Sequence, residues 1–144
     1  MAGERGRRSY IPAPLCEVTS LRLTPHGVIG IAADGELMDV QHRDHPESKW
    51  ARNNSICVLF THQNRLMQDR FGSHLTEGIA GENILIQTDR RIVLDDLKNG
   101  LVVETADGAW LLTDIVAAEP CVEYTRFAVV RSPMSLPTPP SSTR

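Results

Sequence analysis

The stretch LVVETADGAWLLTDIVA, residues 101–117, carries the clearest fold signal in the chain. Two apolar runs flank the short segment ADG, in which Gly108 is free to adopt a positive φ angle. Apolar runs on either side of such a turn are typical of a β-hairpin. We therefore predict two antiparallel strands joined at this turn.

Further strand signals lie on the N-terminal side of the hairpin. The segments EVTSLRL (17–23) and GVIGIAADG (27–35) alternate in polarity or carry β-branched residues between glycines. SICVLF (55–60) is a short apolar run of the kind that is buried on both faces of a sheet. Many short strands in one small chain predict a mainly β fold, a compact and largely antiparallel β-barrel.

One helix interrupts the strands, in the segment THQNRLMQDRFG that begins at Thr61 and ends at Gly72. Thr61 is a candidate N-cap, and Gly72 is a typical C-terminal stop. Apolar residues recur at helical spacing, at Leu66, Met67 and Phe71. The pattern predicts one principal helix from His62 to Phe71, with Met67 and Phe71 in the core.

Length and composition limit the classes of function. The chain has 144 residues, is 41% hydrophobic and has a formal net charge of -3, which suits one soluble domain. This charge argues against wrapping of nucleic acid and against binding to an anionic membrane. No apolar stretch approaches the roughly 18 residues of a membrane span, and the N-terminus lacks the apolar region of a secretory signal. We predict a cytoplasmic protein.

Both ends of the chain have the composition of disordered tails. Residues 1–14 and 131–144 are rich in Arg, Ser and Pro, and they hold too little apolar surface to offset the entropy of ordering. The folded domain is therefore expected over residues 15–130. The three cysteines of the chain are widely spaced and form no CxxC pair; they are Cys16, Cys57 and Cys121. This pattern disfavours a disulfide framework or a structural zinc site and suits a reducing compartment.

A glycine-punctuated loop in LTEGIAGENILIQ (75–87) leads into an alternating apolar strand. It is not a phosphate-binding loop, because Glu82 and Asn83 follow Gly81 where a lysine and a hydroxyl residue are required. The simplest interpretation is a tight turn, in which Gly81 takes a positive φ and the Asn83 side chain ties down the loop. A ligand-binding role remains the alternative.

A second segment of chemical interest, AAEPCVEYTRFAV (117–129), follows the hairpin. Pro120 stiffens the backbone before Cys121, which fixes the direction of the thiol at the expected end of a strand. A thiolate there can act as a nucleophile, a sulfur carrier or a soft metal ligand. A free cysteine is also often a small buried apolar residue, so the segment alone does not decide between these roles.

Taken together, the two segments resemble the MOSC family, the C-terminal domains of molybdenum cofactor sulfurases. The resemblance consists of the tripeptide GEN before a strand, the acidic segment DDLKNG, a hairpin, and the dipeptide PC at its end, in this order. It spans roughly residues 27–127 and implies a small stand-alone MOSC-like β-barrel. Family members carry sulfur as a persulfide received from a pyridoxal-phosphate cysteine desulfurase, or bind the molybdenum cofactor.

The resemblance assigns roles to individual residues. It implies that Cys121 is the catalytic cysteine and, in the oxidoreductase branch, the ligand of molybdenum in the molybdopterin cofactor. It places Gly81, Glu82 and Asn83 on the wall of the cofactor pocket, with Arg126 as a candidate phosphate contact. A loop and a cysteine that share a ligand must be close, so we expect Gly81, Asn83 and Cys121 to converge on one concavity.

The family's histidine-containing motif matches only in part. His42 is the candidate equivalent and cofactor contact, but Arg43 and Asp44 stand where the family has glycines. His42 and His45 form an HxxH pair on a polar loop, for which a solvated pair is the simpler interpretation than a metal site.

Three functions follow. The first is a persulfide sulfur carrier in molybdenum cofactor or metal-sulfur metabolism, with a pyridoxal-phosphate cysteine desulfurase as partner. The second is a molybdenum cofactor oxidoreductase that reduces N-hydroxylated compounds with a redox partner, and the third is a non-catalytic cofactor-binding or interaction module. The substrate, the electron donor and the oligomeric state are not encoded in recognisable motifs.

Overall fold

The computed structural model describes residues 9–48, 50–51 and 54–130. Seven strands and two helices follow one another along this part of the chain. In chain order they are β1 Ser20–Thr24, β2 Gly27–Ala32, β3 Gly35–Met38, β4 Val58–Phe60, α1 Thr61–Phe71, β5 Ile84–Ile86, β6 Leu101–Thr105, β7 Gly108–Leu112 and α2 Val122–Val130. A short 3-10 turn at Leu94–Leu97 precedes β6.

The strands form three small sheets. β1, β2 and β3 make an antiparallel meander, β4 and β5 form a parallel pair, and β6 and β7 form the expected antiparallel hairpin. Within the described residues these sheets do not close into a barrel. The predicted β-barrel is therefore replaced by a mixed arrangement of small sheets and two helices. β4 and β5 have only three residues each, which is too short to build a continuous barrel wall.

The hairpin and the first helix agree with the sequence analysis. Thr105 pairs with Gly108, whose φ is 141°, so the turn has the positive φ angle that was expected of this glycine. α1 ends at Phe71 before Gly72, whose φ is 122°. Thr61 was wrong as the N-cap, because Phe60 holds that position and the Thr61 hydroxyl instead bonds both backbone groups of Thr88.

The second helix, α2, was not predicted. It packs Tyr124 and Ala128, one helical turn apart, against Leu75, and these three buried residues form the centre of the core. Met67 and Phe71 from α1 pack around them, together with Ile79 and Phe127. The core therefore joins two helices through the loop that separates α1 from β5.

The N-terminal segment also reaches this core. Tyr10 is partly buried, stacks edge-on against Tyr124 with 5.1 Å between ring centroids, and donates its hydroxyl to the Ile79 carbonyl at 2.7 Å. Tyr10 lies in the segment 1–14 that was expected to be a disordered tail, so part of that segment belongs to the folded domain. Residues 1–8 and the predicted tail 131–144 lie outside the described residues. No described helix has the length and apolar character needed to cross a bilayer.

Candidate functional site

Cys121 occupies the position immediately before α2. Its sulfur accepts a hydrogen bond from the Tyr124 backbone N–H at 3.3 Å, and its carbonyl accepts one from the Thr125 N–H at 2.9 Å. These contacts make Cys121 the N-cap of the helix, with the sulfur in the place of the usual side-chain oxygen. Residues 113–120 before it form neither strand nor helix. Cys121 therefore lies at the start of a helix, and not at the end of a strand as expected.

The Cys121 side chain is exposed, so its sulfur is open to a reaction partner. The amide that contacts it belongs to the first turn of a helix, where the backbone N–H groups carry partial positive charge. An exposed sulfur with an amide donor at its side suits exchange reactions in which sulfur bears negative charge. Cys16 is also exposed, and within the described part of the chain its sulfur contacts only the carbonyl of Glu17, at 3.8 Å.

The GEN loop closes on itself through Glu82. One carboxylate oxygen, Oε1, accepts the Gly78 N–H at 2.7 Å, and the Gly81 N–H donates to the Gly78 carbonyl at 2.9 Å. Gly81 has the expected positive φ, at 80°. The other oxygen of Glu82, Oε2, is buried and has no hydrogen-bond partner among the described residues. The loop thus carries an acceptor that its own backbone does not satisfy.

Asn83 attaches the GEN loop to β4. Its side-chain oxygen accepts the Cys57 N–H at 2.9 Å, and its own N–H donates to the Cys57 carbonyl at 2.9 Å. The side chain therefore ties the loop to the neighbouring strand, not to the loop itself. This pairing holds the entry to β5 beside β4.

Tyr10 links the GEN loop to Cys121. Burial raises the pKa of the Tyr10 hydroxyl, and the negative charges of Cys121, Glu82 and Cys57 raise it further. Such an effect requires all three groups to lie within electrostatic range of one phenol. Tyr10 also bonds Ile79 in the first segment and packs against Tyr124 in the second, so both predicted segments contact the same tyrosine.

Cys57 belongs to the same neighbourhood but is less accessible. It is partly buried in front of β4, and burial raises the pKa of its thiol, with smaller contributions from the charges of Glu82 and Asp39. Burial also raises the pKa of Tyr124, which faces Tyr10 and Glu82. Tyr10, Tyr124 and Cys57 were not predicted as site residues, because no local pattern places them beside the GEN loop.

His42 and Arg126 lie in other surroundings. His42 is only 4% exposed, its Nδ1 accepts the Asp44 N–H at 3.1 Å, and its Nε2 lies 3.3 Å from the Thr24 hydroxyl. Both ring nitrogens thus support the loop packed on the β1–β2 turn. Arg126 is exposed on α2 and takes part in none of the ion pairs between described residues.

Two cavities stand out, and Cys121 lines neither of them. One lies beside the hairpin, between residues 94–100 and 113–115, and the other lies between α1 and β5. The GEN tripeptide is likewise absent from both walls. Among the described residues, no three His, Cys, Asp or Glu side chains are grouped as a metal site.

Comparison of the chain with protein-family models, with curated proteins and with solved structures gives no significant match.

Proposed function

We propose that the protein is a sulfur carrier of MOSC type, which holds sulfur as a persulfide on Cys121 for molybdenum cofactor or metal-sulfur metabolism in the cytoplasm. The observation that supports this role most directly is the exposed Cys121 sulfur, which accepts the Tyr124 N–H at the start of α2. The sulfur donor in this proposal is a pyridoxal-phosphate cysteine desulfurase that carries a persulfide of its own.

The transfer balances without an oxidant or a reductant. The Cys121 thiolate attacks the outer sulfur of the donor persulfide, the donor S–S bond breaks, and a new S–S bond forms on Cys121. The donor cysteine leaves as a thiolate, and the electron pair of the broken bond leaves with it. The Tyr124 N–H is placed to donate to the Cys121 sulfur while that sulfur is negatively charged.

The described residues do not fit a molybdopterin site as well as they fit this transfer. Both ring nitrogens of His42 already have partners, and Cys121 lines neither of the two main cavities. A pterin cofactor requires a concave site that covers most of its surface. The molybdenum oxidoreductase is therefore the alternative.

The decisive experiment compares three cysteine variants of the full chain. Each is incubated with a cysteine desulfurase and free cysteine, and its mass is then measured before and after treatment with a reductant. We expect the wild-type protein and Cys16→Ser to gain the mass of one sulfur atom, removable by reductant, and Cys121→Ser to gain none. Serine cannot form a persulfide, and it resembles cysteine closely in volume.

Cys16→Ser is the matched control because Cys16 is also exposed but has no amide donor at its sulfur. Cys57→Ser tests the partly buried thiol in the same neighbourhood, and it should retain loading. Equal loading of wild type and Cys121→Ser contradicts the proposal. Copurification of molybdenum and pterin that depends on Cys121, without sulfur loading, establishes the oxidoreductase in its place.

A further inference from the structure

A polar cavity of about 370 Å³ lies between α1 and β5, away from Cys121. Four of its lining residues, Thr61, Asn64, Arg65 and Gln68, come from α1. Their spacing of three and four positions places them on one face of the helix. Of these four residues only Asn64 is buried, whereas Arg65 is exposed at the edge of the cavity.

Part of this face is held in place by backbone contacts. Arg65 donates through Nη2 to the Thr88 carbonyl at 2.7 Å, and Gln68 donates through Nε2 to the Leu75 carbonyl at 2.9 Å. The Thr61 hydroxyl pairs with the backbone of Thr88. These bonds fix the side chains while leaving the Gln68 oxygen and the other guanidinium N–H groups of Arg65 to a ligand.

Asn64 is the side chain whose environment points to a ligand. It is only 4% exposed and lines the cavity, and its amide makes no hydrogen bond within the described part of the chain. The Asn64 amide atoms are not among the fully buried, unsatisfied polar atoms of the described residues, so they remain accessible from the cavity that Asn64 lines. A polar ligand in the cavity would therefore meet one amide donor and one amide acceptor at this position.

The charges that line the cavity define the chemistry of this ligand. Arg65 on α1 and Glu77 in the following loop have opposite charges, and neither takes part in any ion pair between described residues. One wall therefore favours an anion and the other a cation. The cavity also begins where the parallel strands β4 and β5 end, the edge at which α/β units usually bind ligands.

We infer that this cavity binds a free α-amino acid. Its carboxylate pairs with Arg65, its ammonium group pairs with Glu77, and the Asn64 amide bonds the polar groups between them. The volume of the cavity lies at the lower end of the range for small-molecule sites, about 300–1,000 Å³. This inference does not depend on the sulfur-carrier role, because neither Cys121 nor the GEN tripeptide (81–83) lines the cavity.

The test is isothermal titration calorimetry of the full chain with each of the common L-α-amino acids, up to the low millimolar range. We expect saturable binding of at least one of them. Its amide derivative, which lacks the carboxylate, and its N-acetyl derivative, which lacks the ammonium group, should each bind about tenfold more weakly or worse, because each loses one charged hydrogen bond.

Two variants locate the binding in the cavity. Glu77→Gln changes an exposed side chain, and it should weaken binding about tenfold without affecting folding. Asn64→Leu should do the same through the buried amide. The matched control is Glu104→Gln, which changes an exposed glutamate on β6 outside the cavity and should leave binding unchanged. The inference is overturned if no amino acid binds, or if Glu77→Gln and Asn64→Leu both bind the amino acid as tightly as wild type.

Discussion

The hairpin of β6 and β7 and the helical core around Leu75 differ in how far apart in the sequence their contacts lie. In the hairpin, Val102 faces Leu111 across the two strands, yet these side chains are 59% and 58% exposed. In the core, Leu75 is fully buried between α1 and α2. The hairpin is held by a turn and a local ladder of hydrogen bonds, whereas the core is held by burial of apolar surface.

This difference explains which region the sequence reveals. A two-residue turn and its ladder depend on neighbours in the chain, so their pattern is visible in a short segment. The core unites Tyr10, Leu75 and Tyr124, which lie far apart in the sequence and meet only after folding. The candidate sulfur site belongs to the core region, because Cys121 starts the helix that carries Tyr124.

The largest expected effect is on the free energy of unfolding, when one leucine in each region is truncated to alanine. Leu75→Ala should lower the free energy of unfolding by about 2–5 kcal/mol, because it leaves a cavity at a fully buried position. Leu111→Ala should lower it by less than about 1 kcal/mol, since it removes only an exposed cross-strand contact. Urea denaturation followed by circular dichroism measures both. Equal losses would show that the hairpin is buried in solution against something the single chain does not contain.

An intermediate effect tests the packing inside the hairpin region. A Cβ at Gly100 would lie 2.7 Å from the Leu112 carbonyl oxygen, whereas one at Gly108 would meet nothing within 4 Å. Both glycines have positive φ angles, at 90° and 141°, so alanine is strained at either position. We expect Gly100→Ala to destabilise the hairpin by about 2 kcal/mol, and Gly108→Ala by about 1 kcal/mol.

Native-state hydrogen exchange of the β6 and β7 amides is the measurement for this pair, because it reports the local opening of the hairpin. The α1 amides serve as the internal reference and should change less than the hairpin amides in both variants. A larger effect at Gly108 than at Gly100 would contradict the close contact between Gly100 and Leu112.

The smallest effect concerns the contact that fixes the N-terminal segment to the core. Tyr10→Phe removes the hydroxyl that donates to Ile79, and it should lower the free energy of unfolding by about 1 kcal/mol at neutral pH. Tyr10→Leu should cost more, because it also removes the ring contacts with Tyr124 and Phe127. Urea denaturation is again the measurement, and no loss in either variant would contradict a packed N-terminal segment.

The same tyrosine predicts a pH dependence with a definite sign. The folded state raises the pKa of Tyr10 above its ordinary value of 10.0, so it favours the protonated phenol. This contribution to stability is fully present below the ordinary pKa and is lost as the pH rises through the raised folded value. Stability should therefore fall at alkaline pH, and Tyr10→Phe should reduce the slope. An unchanged slope would mean that Tyr10 is solvated in the folded protein.

The sequence analysis was correct for elements with strong local signals and wrong where distant contacts decide. The turn at Gly108, the end of α1 at Gly72 and the strand after the GEN loop all follow from local patterns. The parallel pairing of β4 and β5 was not predictable, because three residues in each strand provide too little periodicity. The barrel was expected from the number of strands, but strand number does not specify how strands pair.

In the candidate site, too, the sequence revealed the features with local signals and missed those that depend on distant contacts. Cys121 and the GEN tripeptide were recognisable as segments, and the positive φ of Gly81 was predicted from its position in a turn. Their common neighbour Tyr10 was not, since a tyrosine in a Pro- and Arg-rich segment has the composition of a disordered tail. The polar residues of α1 that line the second cavity were not predicted either, because the sequence does not show which face of the helix borders β5.

By itself, the sequence determined the hairpin, most of α1 and the residues available for chemistry, because turn propensity and helical spacing act between neighbours in the chain. Only the tertiary structure decided that α2 forms, that Cys121 caps it, and that Tyr10 contacts both Ile79 and Tyr124. The physical reason is that burial of Leu75, Tyr124 and Ala128 stabilises α2 through contacts that exist only when distant segments have come together.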